Sequence, residues 1–150
     1  MKRETILFLD SNVIISGLLS SKGSPRVLLD LLSLKVPHLI GFTGLYNLEE
    51  IERNLKKKFP QLLPLYKKYR SKINLKIVEI PTFNQIKPLL NKMPASDVPV
   101  LASAIQTKSD FLITGNIKDF PKKLAQPIRV VTPHEFLNDY FKDIVDCSKQ

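Results

Sequence analysis

Short apolar runs alternate with helical patterns along the whole chain, and this alternation constrains the fold more than any other feature of the sequence. The run T-I-L-F-L at residues 5–9 is typical of a buried strand, and a wide apolar stripe at helical spacing follows at residues 27–34. Further strand patterns lie at residues 38–41, 75–80, 111–114 and 128–131, and further helical patterns at residues 13–20, 43–58, 61–71, 97–108 and 132–140. Strands that alternate with helices indicate a parallel sheet covered on both faces. The sequence therefore predicts an α/β fold of three layers, α/β/α, around a central, mainly parallel twisted sheet.

The starts of two predicted helices carry local signals. Thr43 is the expected N-cap of the third helix, and Ser96 is the expected N-cap of the helix at residues 97–108. Pro99 is compatible with that second helix because it falls in the first turn. A chain of 150 residues buries enough surface to fold without disulfides or metals, so we expect one domain over residues 1–150.

Nothing in the sequence calls for a membrane or an oxidising compartment. Cys147 is the single cysteine and cannot form an internal disulfide. No apolar run approaches the roughly 18 residues that a membrane span needs. The start M-K-R-E-T-I-L-F-L-D leads directly into the first strand pattern and does not resemble a signal peptide. We therefore expect a soluble, cytoplasmic protein without a membrane partner.

The positive charge is concentrated in one part of the chain. The formal net charge is +9, and residues 53–76, the basic segment, contain no Asp or Glu. Its cations are Arg53, Lys56, Lys57, Lys58, Lys67, Lys68, Arg70, Lys72 and Lys76. A run of this kind either forms a solvated helical face or attracts a polyanion, and its length favours nucleic acid. Tyr66 and Tyr69 lie within it and are candidate platforms for base stacking, although tyrosines at such positions are more often packing residues.

Three acidic residues lie where the carboxyl ends of parallel strands meet helix starts. Asp10 ends the first strand, Asp97 begins a helix, and Asp119 follows the strand end in F-L-I-T-G-N-I-K-D-F-P. Asp10 is also compatible with a simple N-cap, and Asp97 with a favourable charge at a helix start. Against the second reading, Asp97 shares the apolar stripe of its helix, where a carboxylate needs a partner. Carboxylates without His or Cys suit a hard cation such as Mg²⁺ or Mn²⁺, and with a basic surface they indicate phosphodiester hydrolysis.

The third helix offers three acids and no clear choice among them. Its apolar stripe in T-G-L-Y-N-L-E-E-I-E-R-N-L puts Glu52 closest to the apolar face, Glu49 at its margin and Glu50 nearly opposite. Periodicity alone does not select Glu50.

With these motifs in place, the chain resembles the PIN-domain family of metal-dependent ribonucleases, especially small members that act as toxins of toxin–antitoxin pairs. The resemblance runs from F-L-D-S-N-V-I-I-S-G-L-L to I-R-V-V-T-P-H-E-F-L. The family pattern of four acids falls on Asp10, on Glu50 in L-E-E-I-E-R-N-L, on Asp97 in S-D-V-P-V-L-A-S-A, and on I-T-G-N-I-K-D-F. In that last motif the family often has Asp where this chain has Asn116, so Asp119 is expected to supply the fourth carboxylate.

The resemblance implies an endoribonuclease that depends on one or two Mg²⁺ or Mn²⁺ ions and leaves 5′-phosphate and 3′-hydroxyl ends. It assigns the ions to Asp10, Glu50, Asp97 and Asp119, and the positioning of water or phosphate to Asn12, Thr114 and Asn116. The basic segment would follow the backbone of single-stranded or looped RNA. A homodimer and a small antitoxin partner are further expectations of the family.

Two alternatives stay open at this point. Asn116 removes one negative charge, which is compatible with an RNA-binding module that has lost turnover. A phosphotransfer enzyme with Asp10 as nucleophile is more remote, because that class usually has a second Asp two residues on, where this chain has Asn12.

Overall fold

A five-stranded, entirely parallel sheet forms the centre of the protein. The computed structural model describes residues 4–148, with side chains through residue 144. The strands are β1 (Thr5–Leu9), β2 (Leu39–Gly44), β3 (Leu75–Val78), β4 (Phe111–Ile113) and β5 (Arg129–Val131). Their order across the sheet is β3-β2-β1-β4-β5, and every pair is parallel. The predicted mainly parallel sheet is confirmed.

Helices cover both faces of the sheet. They are α1 (Ser11–Leu19), α2 (Ser24–Ser33), α3 (Leu45–Lys58), α4 (Leu63–Lys72), α5 (Phe83–Ile86), α6 (Val98–Gln106), α7 (Lys122–Ala125) and α8 (Pro133–Ser148). Leu7 and Leu9 of β1 belong to a core with α1 to α4 and α8, whereas Phe8 faces a second core with α6 and α7. This alternation follows from the two-residue period of a strand. The predicted α/β/α layering is therefore confirmed.

Two predicted helix caps are wrong. Thr43 lies inside β2, paired with Ile77 of β3, and its hydroxyl donates a 2.8 Å hydrogen bond to the carbonyl of Leu9. Gly44 precedes the helix instead, because the sheet ladder extends one residue past Thr43. Ser96 lies in a short 3₁₀ turn, and Asp97 is the residue that directly precedes α6.

The connectivity places one particular edge of the sheet at a topological switch point. From β1 the chain moves outward through β2 to β3, then returns to the other side of β1 through β4 and β5. Helices that follow neighbouring strands thereby diverge at the carboxyl ends of β1 and β4, where open α/β sheets form ligand sites. This end of the sheet, where Asp10 and Thr114 follow the two strands, is called the carboxyl edge below.

Two short helices, α5 and α7, were not expected from the sequence, and α8 extends beyond the predicted end at residue 140 to Ser148. Four-residue helices carry too few turns to show a periodic pattern. Among residues 4–148, no helix is long and apolar enough to cross a membrane.

Candidate active site

Asp10 is a buried carboxylate at the centre of the carboxyl edge. It is 5% exposed, and its Oδ1 accepts hydrogen bonds from the Ser11 N–H (2.8 Å) and Asn47 Nδ2 (3.4 Å). Its Oδ2 accepts one from the Thr114 hydroxyl (2.9 Å). The simple capping role is thus real, because Asp10 is the N-cap of α1. Burial raises the pKa of Asp10, the bonds from Thr114 and Ser11 act against this, and Glu50 and Asp119 raise the pKa further.

Thr114 and Asn12 tie the ends of β1 and β4 together around this carboxylate. Thr114 is fully buried, and its oxygen also accepts a hydrogen bond from the Asn116 N–H (3.1 Å). Asn12 reaches Asp10 Oδ2 through its Nδ2 (3.4 Å), and its Oδ1 accepts the Gly115 N–H (3.0 Å). Because the Thr114 hydroxyl is already bonded to Asp10, its effect on water or phosphate would pass through that carboxylate. The partly exposed Asn12 and the exposed Asn116 lie closer to solvent.

Asp97 and Asp119 are neighbours at the same carboxyl edge. Burial raises the pKa of Asp97 to about 6, and the negative charges of Asp10, Asp119 and Glu50 add to that rise. Asp119 also acts on Asp97 through a side-chain hydrogen-bonding interaction that raises the pKa of Asp97, so these two carboxyl groups are close neighbours. The four acids named by the family pattern therefore lie within electrostatic reach of one another, each on a different segment of the chain.

Among the acids of α3, the structure brings Glu50 to this group. Glu50 raises the pKa of both Asp10 and Asp97, whereas Glu49 is exposed. Glu52 accepts a hydrogen bond from the Tyr66 hydroxyl (3.1 Å) and belongs to the packing of α3 on α4. Periodicity pointed toward Glu52 because that carboxylate does lie beside the core. Glu50 is close to Asp10 because α3 begins directly after β2, the neighbour of β1.

Asn47 is a site residue that the sequence analysis did not identify. It is 1% exposed, and its Nδ2 donates to Ser11 Oγ (2.8 Å) as well as to Asp10. Its Oδ1 accepts the Gly44 N–H (3.2 Å), so this one amide joins the start of α3 to the end of β1. A signal was present: Asn47 lies four residues before Ile51, on the apolar stripe of α3, where a polar side chain needs a partner.

The donor set fits a hard divalent cation. It consists of carboxylate oxygens together with asparagine and threonine oxygens, which are the ligands that Mg²⁺ and Mn²⁺ prefer. Among the side chains that the structure describes, no three of His, Cys, Asp or Glu already have the close geometry of a bound metal. Burial is the main cause of the raised pKa values of Asp10 and Asp97, and repulsion between the acids adds to it. A positive charge between them would relieve this repulsion, so binding would draw the side chains inward.

The basic segment is exposed on α3 and α4. All nine of its cations are exposed, namely Arg53, Lys56, Lys57, Lys58, Lys67, Lys68, Arg70, Lys72 and Lys76. Of its two tyrosines, Tyr66 is a packing residue, whereas Tyr69 is partly exposed and contacts other side chains of the protein. Tyr66 is 5% exposed and bonded to Glu52. The guanidinium of Arg26 lies over the ring of Tyr69, 5.5 Å from its centroid, and the Tyr69 hydroxyl donates to Asp30 (2.6 Å).

Comparisons with solved structures show the same fold. VapBC2 from Rickettsia felis, bound to a promoter DNA fragment, matches with a TM-score of 0.64 and 19% identity, covering 84% of this chain and 97% of that one. VapBC-1 from nontypeable Haemophilus influenzae matches with a TM-score of 0.61 and 15% identity over 87% and 99% of the two chains. A toxin–antitoxin complex from Klebsiella pneumoniae matches with a TM-score of 0.57 and 24% identity over 85% and 97%. No curated protein matches the sequence.

The sequence itself also matches the PIN domain family, over residues 7–118. That match begins in the strand that leads to Asp10, includes α3 and α6, and ends one residue before Asp119. Because it spans most of the chain and agrees with the fold and with the resemblance of the four acidic motifs, this protein is a member of the PIN domain family.

Proposed function

We propose that the protein is a divalent-metal-dependent endoribonuclease and the toxin component of a toxin–antitoxin pair. The observation that carries this proposal is the gathering of Asp10, Glu50, Asp97 and Asp119 at the switch point of the sheet, with the pKa of Asp97 raised to about 6. PIN domains are generally dependent on divalent metals. Strongly perturbed carboxylates in one cluster are typical of catalytic sites, and here the pKa values of Asp10 and Asp97 are raised by burial and by the other acids.

One or two Mg²⁺ or Mn²⁺ ions would be held by the four carboxylates. Such an ion lowers the pKa of an attacking water and neutralises the charge that develops on the phosphate. The protein's own part is to fix the ligands. Thr114, Ser11 and Asn47 donate hydrogen bonds to the two oxygens of Asp10 and so hold its orientation before any ion arrives.

Asp97 would couple ion binding to the pH. Its pKa is raised to about 6 by burial and by the neighbouring acids, so a cation bound there would displace the proton that Asp97 holds at lower pH. Asn12 and Asn116 lie at the exposed side of the cluster and are proposed to orient a water molecule or a phosphate oxygen. Asn116 brings no charge, and Asp119 supplies the fourth carboxylate in its place.

RNA is the substrate that the charge distribution favours. The exposed cations of the basic segment would neutralise phosphates along a single-stranded or looped RNA. Arg53 connects this surface to the acids, because it lies on α3 three residues after Glu50 and its charge acts on Tyr46 beside them.

The partner assignment rests on the similar structures. One of them is a toxin–antitoxin complex, and others are VapBC complexes, two of which contain DNA. We propose that a small antitoxin protein binds this chain too, that the chain forms a homodimer, and that it acts in the cytoplasm. Light scattering of the purified chain, alone and with the product of a neighbouring gene, would test both assemblies.

The test of the function is cleavage of a mixed panel of structured and unstructured RNAs, with a single-stranded DNA panel beside it. Each reaction is run with Mg²⁺ or Mn²⁺, with EDTA, and with the variant Asp97→Asn. We expect RNA cleavage that needs the ion and is lost in the variant. Cleavage that survives both EDTA and Asp97→Asn would refute the proposed site, and cleavage of DNA alone would refute the substrate.

Two further measurements on the same protein test the remaining functions. Tight RNA binding without cleavage, unchanged by EDTA, would establish the RNA-binding module suggested by Asn116. A phosphorylated protein after incubation with a phosphate donor would indicate the phosphotransfer enzyme with Asp10 as nucleophile.

A further inference from the structure

A nuclease for single-stranded RNA usually offers an aromatic ring on which an unpaired base can stack. Tyr66 is buried, and the partly exposed Tyr69 ring is already covered by the guanidinium of Arg26. Tyr46 is a different case. It is the second residue of α3, directly after the carboxyl end of β2, and it is partly exposed.

Tyr46 shares one face of α3 with the acidic cluster and with the basic segment. Residues three and four positions apart on a helix are neighbours on its surface. Tyr46, Glu50, Arg53 and Lys57 follow one another at spacings of four, three and four, so they form a single row. Exposure increases along this row, from the partly buried Tyr46 and Glu50 to the exposed Arg53 and Lys57. The row thus leads from the acids to the basic surface, with an aromatic ring at its acidic end.

The charges that act on the Tyr46 hydroxyl agree with this placement on α3. Burial raises the pKa of Tyr46, Glu50 raises it further, Arg53 acts in the opposite direction, and Asp97 and Asp10 add to the rise. Three of the four proposed metal ligands therefore lie within reach of this one side chain. Among the side chains that the structure describes, no aromatic ring packs on Tyr46 and no group forms a hydrogen bond with its hydroxyl. The side chain is partly exposed, so part of it is accessible to a ligand.

We propose that Tyr46 is the stacking platform for an unpaired base next to the phosphate that the four carboxylates hold. The proposal rests on the proposed function and deepens it, because it makes the substrate single-stranded RNA at the position beside the cut. A base in a duplex cannot reach the ring without leaving its stack. Arg53 and Lys57 would then contact the phosphates that follow along the row.

A double-mutant cycle between protein and RNA tests this contact directly. The RNA is the best-cleaved unstructured oligonucleotide of the panel, made with its normal base or with an abasic ribose on either side of the cut. The proteins are the wild type, Tyr46→Ala and Tyr46→Phe, with Phe141→Ala as the matched control. Phe141 is an aromatic residue of α8, 45% exposed, whose ring packs on Tyr140.

We expect Tyr46→Ala to lower kcat/KM on the normal RNA by roughly 5- to 100-fold, the range of one lost base stack. Tyr46→Phe and Phe141→Ala should leave it within about twofold, because the first keeps the aromatic face and the second lies elsewhere. With the wild-type protein, the abasic RNA should lower kcat/KM about as much as Tyr46→Ala does on the normal RNA. Tyr46→Ala acting on the abasic RNA should lower kcat/KM little more than either change alone. The melting temperatures of all variants report their folding independently of cleavage.

Three results would overturn the proposal. Additive losses from the protein and RNA changes would show that Tyr46 and the base do not meet. Equal losses in Tyr46→Phe and Tyr46→Ala would assign the effect to the hydroxyl. Unchanged cleavage by Tyr46→Ala would refute the stacking role of Tyr46 but not the proposed nuclease activity. A wild type that cuts no RNA would refute the proposed function itself.

Discussion

Two carboxylates occupy matching places at opposite edges of the sheet. Asp10 follows β1 at the carboxyl edge, and Asp110 directly precedes β4 at the other, amino edge. Each accepts a 2.8 Å hydrogen bond from a backbone N–H, Asp10 from Ser11 and Asp110 from Ile6. Taken alone, the two acids have the same structural role, because each accepts a hydrogen bond from a backbone N–H at the end of a strand.

Their surroundings differ completely. Asp10 is accompanied by Glu50 and Asp119, which raise its pKa together with burial. Asp110 instead lines an open cavity of about 690 Å³ with Lys108 and Arg129. This cavity lies at the edge where opposite charges are mixed, whereas the acids gather at the opposite edge. The comparison indicates that the concentration of like charge, and not the size of a cavity, distinguishes the proposed active site.

The largest difference in RNA cleavage between the two edges should appear when Asp10 and Asp110 are replaced one at a time. Asp10→Asn should lower RNA cleavage by at least roughly 100-fold, because the loss of a charged ligand weakens ion binding and transition-state stabilisation together. Asp110→Asn keeps an oxygen for the Ile6 N–H and should cost about 1 kcal/mol of stability with cleavage retained. Cleavage assays and thermal melts of both variants provide the measurement. Equal losses of cleavage activity in the two variants would mean that the acidic cluster has no special role in cleavage.

The fold was accessible from the sequence because it depends on patterns that repeat over many residues. The apolar runs at residues 5–9 and 111–114 lie in β1 and β4, and the alternation of strands and helices determined the layers. The errors at Thr43 and Ser96 concern single residues at element ends: Thr43 is paired within the sheet, and Ser96 lies in a 3₁₀ turn that shifts the start of α6 by one residue. Such pairing is invisible to a local pattern.

The site was accessible only in part, for a related reason. Asp10, Asp97 and Asp119 follow strand ends or begin helices, so the edge rule of parallel sheets is enough to group them from the sequence alone. Glu50 came from the family resemblance alone, since the apolar stripe of α3 reports which side faces the core and not which side faces Asp10. Asn47 was missed because a buried amide looks like any other polar residue until its partners are seen.

A substitution of Asn47 tests the carboxyl edge without removing any of its carboxylates. Asn47→Ala removes one donor to Asp10 and one to Ser11, and leaves the Gly44 N–H without its side-chain acceptor. We expect a roughly 10- to 100-fold weaker affinity for Mn²⁺, the usual effect of losing a residue that orients a metal ligand. Calorimetric titration measures it. Asn138→Ala, on exposed α8, is the matched control and should bind Mn²⁺ as the wild type does; equal affinities in both variants would deny Asn47 this role.

The pH dependence of stability should distinguish the acidic edge when divalent ions are removed. The pKa of Asp97 in the folded protein is about 6, above its usual value of 3.8, so the folded state binds more protons than the unfolded state between these values. Stability from this group is therefore complete below about pH 4 and is lost as the pH rises through 6. In EDTA, the melting temperature should fall over that interval in the wild type, and this component should vanish in Asp97→Asn.

Divalent ions should reverse the loss of folding stability that we expect as the pH rises through 6. An ion at 100 times its dissociation constant stabilises by about 2.7 kcal/mol, which raises the melting temperature of a domain this size by roughly 5 °C or more. We expect that shift with Mg²⁺ or Mn²⁺ at pH 7.5 and a smaller one at pH 5, where a proton competes with the ion for Asp97. A shift of equal size at both pH values, or in Asp97→Asn, would place the ion elsewhere.

The smallest expected effect concerns lysines, and it compares the basic segment with the amino edge. Lys56→Gln/Lys57→Gln removes two exposed charges from α3, and Lys108→Gln/Lys142→Gln removes two exposed charges near the amino-edge cavities. Each phosphate contact on single-stranded nucleic acid contributes about 0.7 to the slope of log affinity against log salt. The first variant should therefore lower that slope by about 1.4 and weaken RNA binding several-fold at moderate salt, while the second leaves the slope unchanged. Fluorescence anisotropy across a salt series measures both variants at constant net charge. Equal slopes would show that RNA responds only to the total charge of the protein, and the basic segment would then lose its assigned role as the track for the RNA backbone.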